Sequence, residues 1–179
     1  MAGMDLITLG GGCFWCLDAC FRRLRGVTAV ESGFSNGHVL SPTYEQVCSG
    51  LTGHAEVVRV HFDPDIISLA SLLEVFFVIH DPTQVNGQGA DLGPQYRSGI
   101  YVHSAAQEAI ARQVLNEVQQ ALAGRVVTEL AFEQGYTPAE AVHQGYFDAN
   151  SEAGYCTFVI EPKLQKFQAR FRSLLREDA

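Results

Sequence analysis

The chain has 179 residues, 47% hydrophobic and 18% charged, which is enough for one sizeable core and short for two, so a single domain over 1–179 is expected. A net charge of −8 argues against a nucleic-acid binder, which carries a basic face to neutralise phosphates, and no apolar run approaches membrane-spanning length. Five cysteines, an odd number, and an N-terminus with no basic residue before its apolar stretch fit a reducing cytoplasm better than a secreted disulfide framework.

Taken in chain order, "DLITLGGG" predicts a short strand over Leu6–Leu9 that breaks at Gly10–Gly12, and "CFWCLDACFRRLRG" predicts the helix that follows. "VTAVESGFSNGH" reads as a strand ending in a turn, and "GHAEVVRVHFDP" as an alternating strand closed by Asp63 and Pro64. "SLASLLEVFFVIHDP" is apolar almost all round, as a buried helix stopped before Pro82 would be. After the loop "TQVNGQGADLGPQYR" comes a strand, "SGIYV". A helix then opens on a Ser104–Gln107 capping box and repeats Ile110, Val114, Val118 and Leu122 on one face. "VVTELAFEQ" is a further strand, and Leu164, Phe167, Phe171 and Leu174 space a tail helix over about 162–175 with a basic outer side. Few strands and long connections favour an α+β two-layer sandwich around a mixed β-sheet over a doubly wound sheet.

Cys13 falls at the predicted helix start, where free backbone amides and the helix dipole favour an anion; its thiol pKa is expected to fall below the ordinary value, with the three glycines admitting a substrate closely. In "HAEVVRVHF", alternation puts Glu56 on the apolar face with Val58, Val60 and Phe62. Two readings of that carboxylate stand side by side: a frayed strand end in water, or a buried acid with a raised pKa that holds a proton at neutral pH. Tyr44 and Tyr96 offer uncharged hydrogen bonds from turn segments, Asp91 lies in a Gly-rich loop, and Phe14 and Trp15 wall the first cysteine or simply pack. Cys48 is expected in the core.

The Cys-x-x-Cys of "GGGCFWC" has other uses. A structural zinc site usually needs a second close pair, whereas Cys20, Cys48 and Cys156 are scattered singly, so no metal is expected. A thioredoxin-like disulfide shuttle also puts such a pair at a helix start, but leaves the preceding glycines and the enclosed aromatic pair unexplained.

The stretches "GGCFWC", "PTYEQVCSGLTGHAEVVRVHFDP", "DLGPQYRSGIY" and "HQGYFDANSEAGYC" together resemble the peptide methionine sulfoxide reductase A family, in the family's order and over most of the chain. The resemblance implies that family's α+β fold and reduction of methionine S-sulfoxide, protein-bound or free. It makes Cys13 the nucleophile and Glu56 the proton donor, with Tyr44, Tyr96 and Asp91 orienting the sulfoxide oxygen or an associated water and Phe14 and Trp15 holding the methyl group. It implies no metal or organic cofactor, thioredoxin or another dithiol as reductant, and a monomer. By the same resemblance Cys156 is the main resolving thiol, with Cys16 its rival by proximity or an intermediate that passes the disulfide on. Asp18 where the family usually has Glu, the additional Cys20, and Phe34 in "GFSNGH" depart from the pattern.

Overall fold

The structure is a computed structural model and describes residues 3–179. Six strands form one mixed sheet: β1 (Asp5–Gly10), β2 (Val27–Ser35), β3 (Ala55–Phe62), β6 (Gly99–Val102), β7 (Glu129–Phe132) and β8 (Thr137–Pro138). Their spatial order is β7-β6-β1-β3-β2-β8. All neighbours are antiparallel except β6 and β7, the pair joined through the long helix α4 (Ala105–Ala121). A two-stranded ribbon, β4 (Gly87–Gln88) with β5 (Asp91–Leu92), stands apart. The remaining helices are α1 (Phe14–Phe21), α2 (Tyr44–Cys48), α3 (Leu69–Ile79), α5 (Tyr146–Ala149) and α6 (Glu161–Arg170).

The period-2 alternation of the strands sorts the two faces. Ile7, Leu9, Val58, Val60, Phe62, Ile100 and Val102 pack against α1, α3, α4 and α6 in the main core. The opposite face carries a small cluster of Ala55, Val57 and Tyr101. Beside it Arg59 forms a two-pronged ion pair with Glu133 at 2.9 and 3.0 Å and lies 3.7 Å over the Tyr136 ring. That face is closed by polar and cation–π contacts, so the architecture is the expected two-layer α+β sandwich.

Three expectations shift at the level of elements. The turn "SPTYEQVC" is a short helix, because Thr43 and Gln46 form a reciprocal capping box, with Gln46 N–H donating to Thr43 Oγ1 and Thr43 N–H to Gln46 Oε1. In α4, Ser104 caps Gln107 as read, but the Gln107 side chain accepts from His103, and the buried stripe is Gln107, Ala111 and Val114 while Ile110 is exposed. The tail helix ends at Arg170 and continues as a tight turn over Arg172–Leu174, preceded by a wider turn over Cys156–Ile160 that precedes Pro162. Among the described residues no helix is long and apolar enough to cross a membrane.

Candidate active site

Cys13 sits between β1 and α1 as the helix N-cap, with extended backbone (φ −63°, ψ 128°) and no side-chain capping bond. The glycines before it do not hold space open for a substrate, as the sequence suggested. A Cβ on Gly11 would meet the His80 ring at 3.0 Å, and one on Gly12, where φ is +93°, would meet Gln88 at 2.8 Å. The turn is therefore clamped by protein. His80 is buried and neutral, its pKa pushed down to about 4 by burial, with Nε2 against Ser98 Oγ at 2.7 Å.

The Cys13 thiol is only 8% exposed. A depressed pKa was expected there; instead burial pushes it well above the ordinary value, the hydrogen bond to Cys16 and the Glu56 charge push the same way, and only the Trp15 N–H opposes. α1 has eight residues, so the partial charges at its start return less than desolvating a thiolate costs. Cys16 shifts down, first because Cys13 donates to it and then through the Lys163 ammonium and the Tyr155 hydroxyl, against burial. With Cys20, these thiols lie at i, i+3 and i+7 along one face of α1. Burial pushes Cys20 up to about 12.

Glu56 is buried, 1% exposed, which removes the reading of a strand end in water. Its Oε1 accepts the Phe14 N–H at 3.2 Å, the backbone step next to Cys13, while Oε2 is buried without a partner. Burial pushes its pKa to about 8, with the Phe14 hydrogen bond opposing, so the carboxyl holds a proton at neutrality. An unpartnered acid oxygen beside a thiol is arranged to meet something brought in from outside.

Around these groups stands an aromatic cup. Phe14 stacks on Tyr44 with ring centroids 6.2 Å apart and tilts against Phe34 at 5.6 Å. Trp15 lies flat on Tyr146 at 3.8 Å and meets the edge of Tyr155 at 5.8 Å, and His143 packs 4.3 Å from Tyr44. Tyr44 and Tyr96 are both pushed upward, first by burial and then by the Glu56 charge, so both remain phenols close to that carboxyl. Asp91 Oδ2 accepts from the Tyr155 hydroxyl at 2.6 Å, and that same hydroxyl is 3.9 Å from Cys16 Sγ. The structure thus brings together every residue the sequence singled out for the reaction, with Cys156 buried in the chain directly after Tyr155.

Tyr155, His143 and Tyr146 were missed. They belong to "HQGYFDANSEAGYC", read only for its cysteine, and the density of aromatic and imidazole rings in that segment was the available signal. Cys48 is not in the core; it ends α2 exposed.

Residues 5–174 match the family described as peptide methionine sulfoxide reductase. The chain belongs to that family. It is 49% identical to the peptide methionine sulfoxide reductase MsrA of Polynucleobacter asymbioticus, covering 96% of this chain and 92% of the relative. It is 48% identical to the MsrA of Thermus thermophilus, covering 96% and 98%. Among solved structures it resembles the reduced form of Mxr1 from Saccharomyces cerevisiae, with TM-score 0.80 and 35% identity over 86% of this chain and 89% of that one. Mxr1 in complex with Trx2 matches with TM-score 0.57 and 27% identity over 80% and 84%.

The departures from the family pattern find local explanations. Asp18 accepts from Arg22 Nε at 2.7 Å and from Gly145 N–H at 2.8 Å, which ties α1 to the tail segment. Phe34 is the register partner of Glu56 and helps to dry it. Cys20 is core packing at the far end of the thiol row.

Proposed function

We propose that this protein reduces methionine S-sulfoxide, in polypeptides and as the free amino acid, through the Cys13 thiol. The observation that carries the reading is the Glu56 carboxyl, protonated near neutrality, held by one oxygen on the Phe14 N–H and unpartnered at the other. A sulfoxide oxygen leaves sulfur only if protonated, so attack by a thiol needs such an acid. The Cys13 sulfur bonds to the sulfoxide sulfur as Glu56 gives its proton to the oxygen, and the proton lost from Cys13 restores the carboxyl. The hydroxyl then passes to Cys13 as the sulfur–sulfur bond breaks, giving methionine and a sulfenic acid. Tyr44 and Tyr96 orient the oxygen, Asp91 orients an associated water, and Phe14 and Trp15 enclose the methyl group. No metal or organic cofactor enters the balance.

Sulfoxide-dependent consumption of a dithiol tests this and separates it from a general thiol-disulfide oxidoreductase. The S epimer is expected to disappear and the R epimer to remain on chiral chromatography, because an oxygen site and a methyl cup around one line of attack match one hand. Equal consumption of both epimers refutes the reading.

Turnover then needs a second thiol to expel water from the sulfenic acid and form a disulfide, which an external dithiol reduces. The place of Cys16 three residues after Cys13 on one face of α1 supports Cys16 as the first to react, and Cys156, next to Tyr155, acts as the thiol to which the bond passes. Peptide mapping after one turnover without reductant is expected to show Cys13 linked to Cys16 at early times and a Cys156 disulfide later. A Cys156→Ser variant that still turns over normally with thioredoxin makes Cys156 structural. The structure of Mxr1 with Trx2 supports a thioredoxin as the reductant. The protein is further read as a cytoplasmic monomer.

A further inference from the structure

Tyr155 has no part in the release of methionine, yet its hydroxyl stands between two groups of the site. It donates to Asp91 Oδ2 at 2.6 Å and lies 3.9 Å from Cys16 Sγ. A hydroxyl has a single proton to donate. With that proton on the carboxylate, the phenol oxygen accepts from the sulfur, which fixes the direction of the chain: Cys16 S–H to Tyr155 O–H to the Asp91 carboxylate.

Distant parts of the sequence build this line. In the two-stranded ribbon Asp91 is the register partner of Gln88, which puts the two side chains on one face. Gln88 packs on the Gly12 turn, where an added Cβ would come within 2.8 Å of it, and its Oε1 accepts the Asp81 N–H at 2.8 Å. The ribbon face that carries Asp91 is therefore the one held against the start of α1. From the other side the Tyr155 ring rests on the edge of Trp15, and burial keeps its hydroxyl a phenol.

We infer that Tyr155 and Asp91 form a proton relay that activates Cys16 against the sulfenic acid on Cys13, a base for disulfide formation separate from the acid that releases methionine. The inference rests on the reading of Cys13 as the thiol that becomes a sulfenic acid and of Cys16 as the first to attack it. A thiol attacks as its thiolate, and Cys16 is 6% exposed, so bulk water is not at hand to take its proton. As the Cys16 sulfur bonds to the Cys13 sulfur, the Cys16 proton moves to Tyr155 Oη and the Tyr155 proton to Asp91 Oδ2. The bond from the Cys13 sulfur to its hydroxyl breaks with the electron pair on oxygen, and Asp91 passes its proton to that hydroxide, which leaves as water. The Cys13 sulfur is reduced, the Cys16 sulfur is oxidised, and Tyr155 ends as the phenol it began. Other groups that act on Cys16 do not serve as the base. Cys20 on its own helix, Glu56 on β3 and Cys156 on the tail are all shifted upward by burial and hold their protons at neutrality, and the Lys163 ammonium on α6 has no lone pair to offer.

The test follows one turnover of the full chain on N-acetyl methionine S-sulfoxide without reductant. Methionine release is read by chromatography, the Cys13–Cys16 link by peptide mapping, and the sulfenic acid by trapping with dimedone. Tyr155→Phe keeps the ring on Trp15 and removes the relay oxygen. At pH 7 it is expected to slow the link at least about tenfold while methionine release falls less than about threefold, so that trapped sulfenic acid accumulates. Between pH 6 and 8 the variant's linking rate is expected to climb steeply, because Cys16 must then ionise unaided, whereas the parent's stays within about twofold. Asp91→Asn, read at the linking step alone, is expected to slow it as well, and the double variant is expected to be no slower than Tyr155→Phe, because one chain is cut in both. A parental linking rate in Tyr155→Phe, an equal loss of both steps, or additive losses in the double variant overturns the inference. If Tyr155→Phe does not fold, Asp91→Asn decides, and a parental linking rate there overturns it. A parent that releases methionine without forming the Cys13–Cys16 link overturns the relay and leaves the reductase reading standing. A parent that releases no methionine overturns both.

Discussion

Cys13→Ser is expected to abolish sulfoxide reduction, with a loss of at least about 10⁴-fold in a single turnover, because an alcohol at this position is neither nucleophilic toward sulfur nor able to hold the transferred oxygen as a sulfenic acid. The loss is chemical and not structural, and the fold supplies its own control. Cys13 is the N-cap of α1, in extended conformation, and its thiol makes no capping bond. Serine is a strongly preferred residue there, and its hydroxyl can accept an N–H from the first turn of α1, a gain of about 0.5–1 kcal/mol. The variant is therefore expected to melt at the same temperature as the parent or slightly higher, while single-turnover release of methionine falls to background. Methionine release within a few-fold of the parent would assign the nucleophile elsewhere, with Cys16, the more readily ionised thiol of the pair, the first candidate.

That assignment shows where sequence reasoning succeeded and where it stopped. The period-2 pattern of "AEVVRVHF" placed Glu56 on the core face, and one register of pairing sufficed for that, because a one-residue slip would expose the whole apolar set. Likewise the strand–glycine–helix transition located Cys13 at a helix start. What the pattern does not carry is depth. The sequence shows that Cys13 begins a helix, but the sign of its pKa shift depends on how deeply it is buried, and Glu56 beside it and the His80 and Gln88 that clamp the glycines before it come from far along the chain.

The tail is the second place where local reading ran out. Tyr155 reaches Asp91 across 64 residues of sequence, and His143 reaches Tyr44 across about a hundred. Neither the ribbon that presents Asp91 nor the segment that presents Tyr155 has the periodicity from which a strand or helix is read, so their meeting is purely tertiary. The tail helix was legible from Leu164 and Phe167, yet the spacing over-extended it to residues that in fact form a tight turn. Hydrophobic spacing marks which residues face the core and is silent on where the backbone stops being regular.

Glu56→Gln is the second large effect, and its pH dependence distinguishes an acid from a hydrogen-bond acceptor. The amide keeps the shape and the oxygen that accepts the Phe14 N–H but has no proton to give, so the single-turnover rate is expected to fall roughly 100-fold or more. In the parent that rate should decline above pH about 8, where the carboxyl ionises; in the variant this alkaline limb should vanish. Stability moves the opposite way. Because the folded pKa of Glu56 lies above its unfolded value, the native state keeps a proton between about 4.5 and about 8 that the unfolded chain has released, so stability falls as pH rises through that window. The cost to the parent is absent below it and complete above it, on the order of 5 kcal/mol at most. Glu56→Gln removes it, so the variant is expected to resist denaturant better than the parent at pH 9 and about equally at pH 4.5. A variant that is slow at every pH, retains the alkaline limb and shows no pH-dependent gain in stability would mean that another group supplies the proton and that Glu56 is ionised in the resting site.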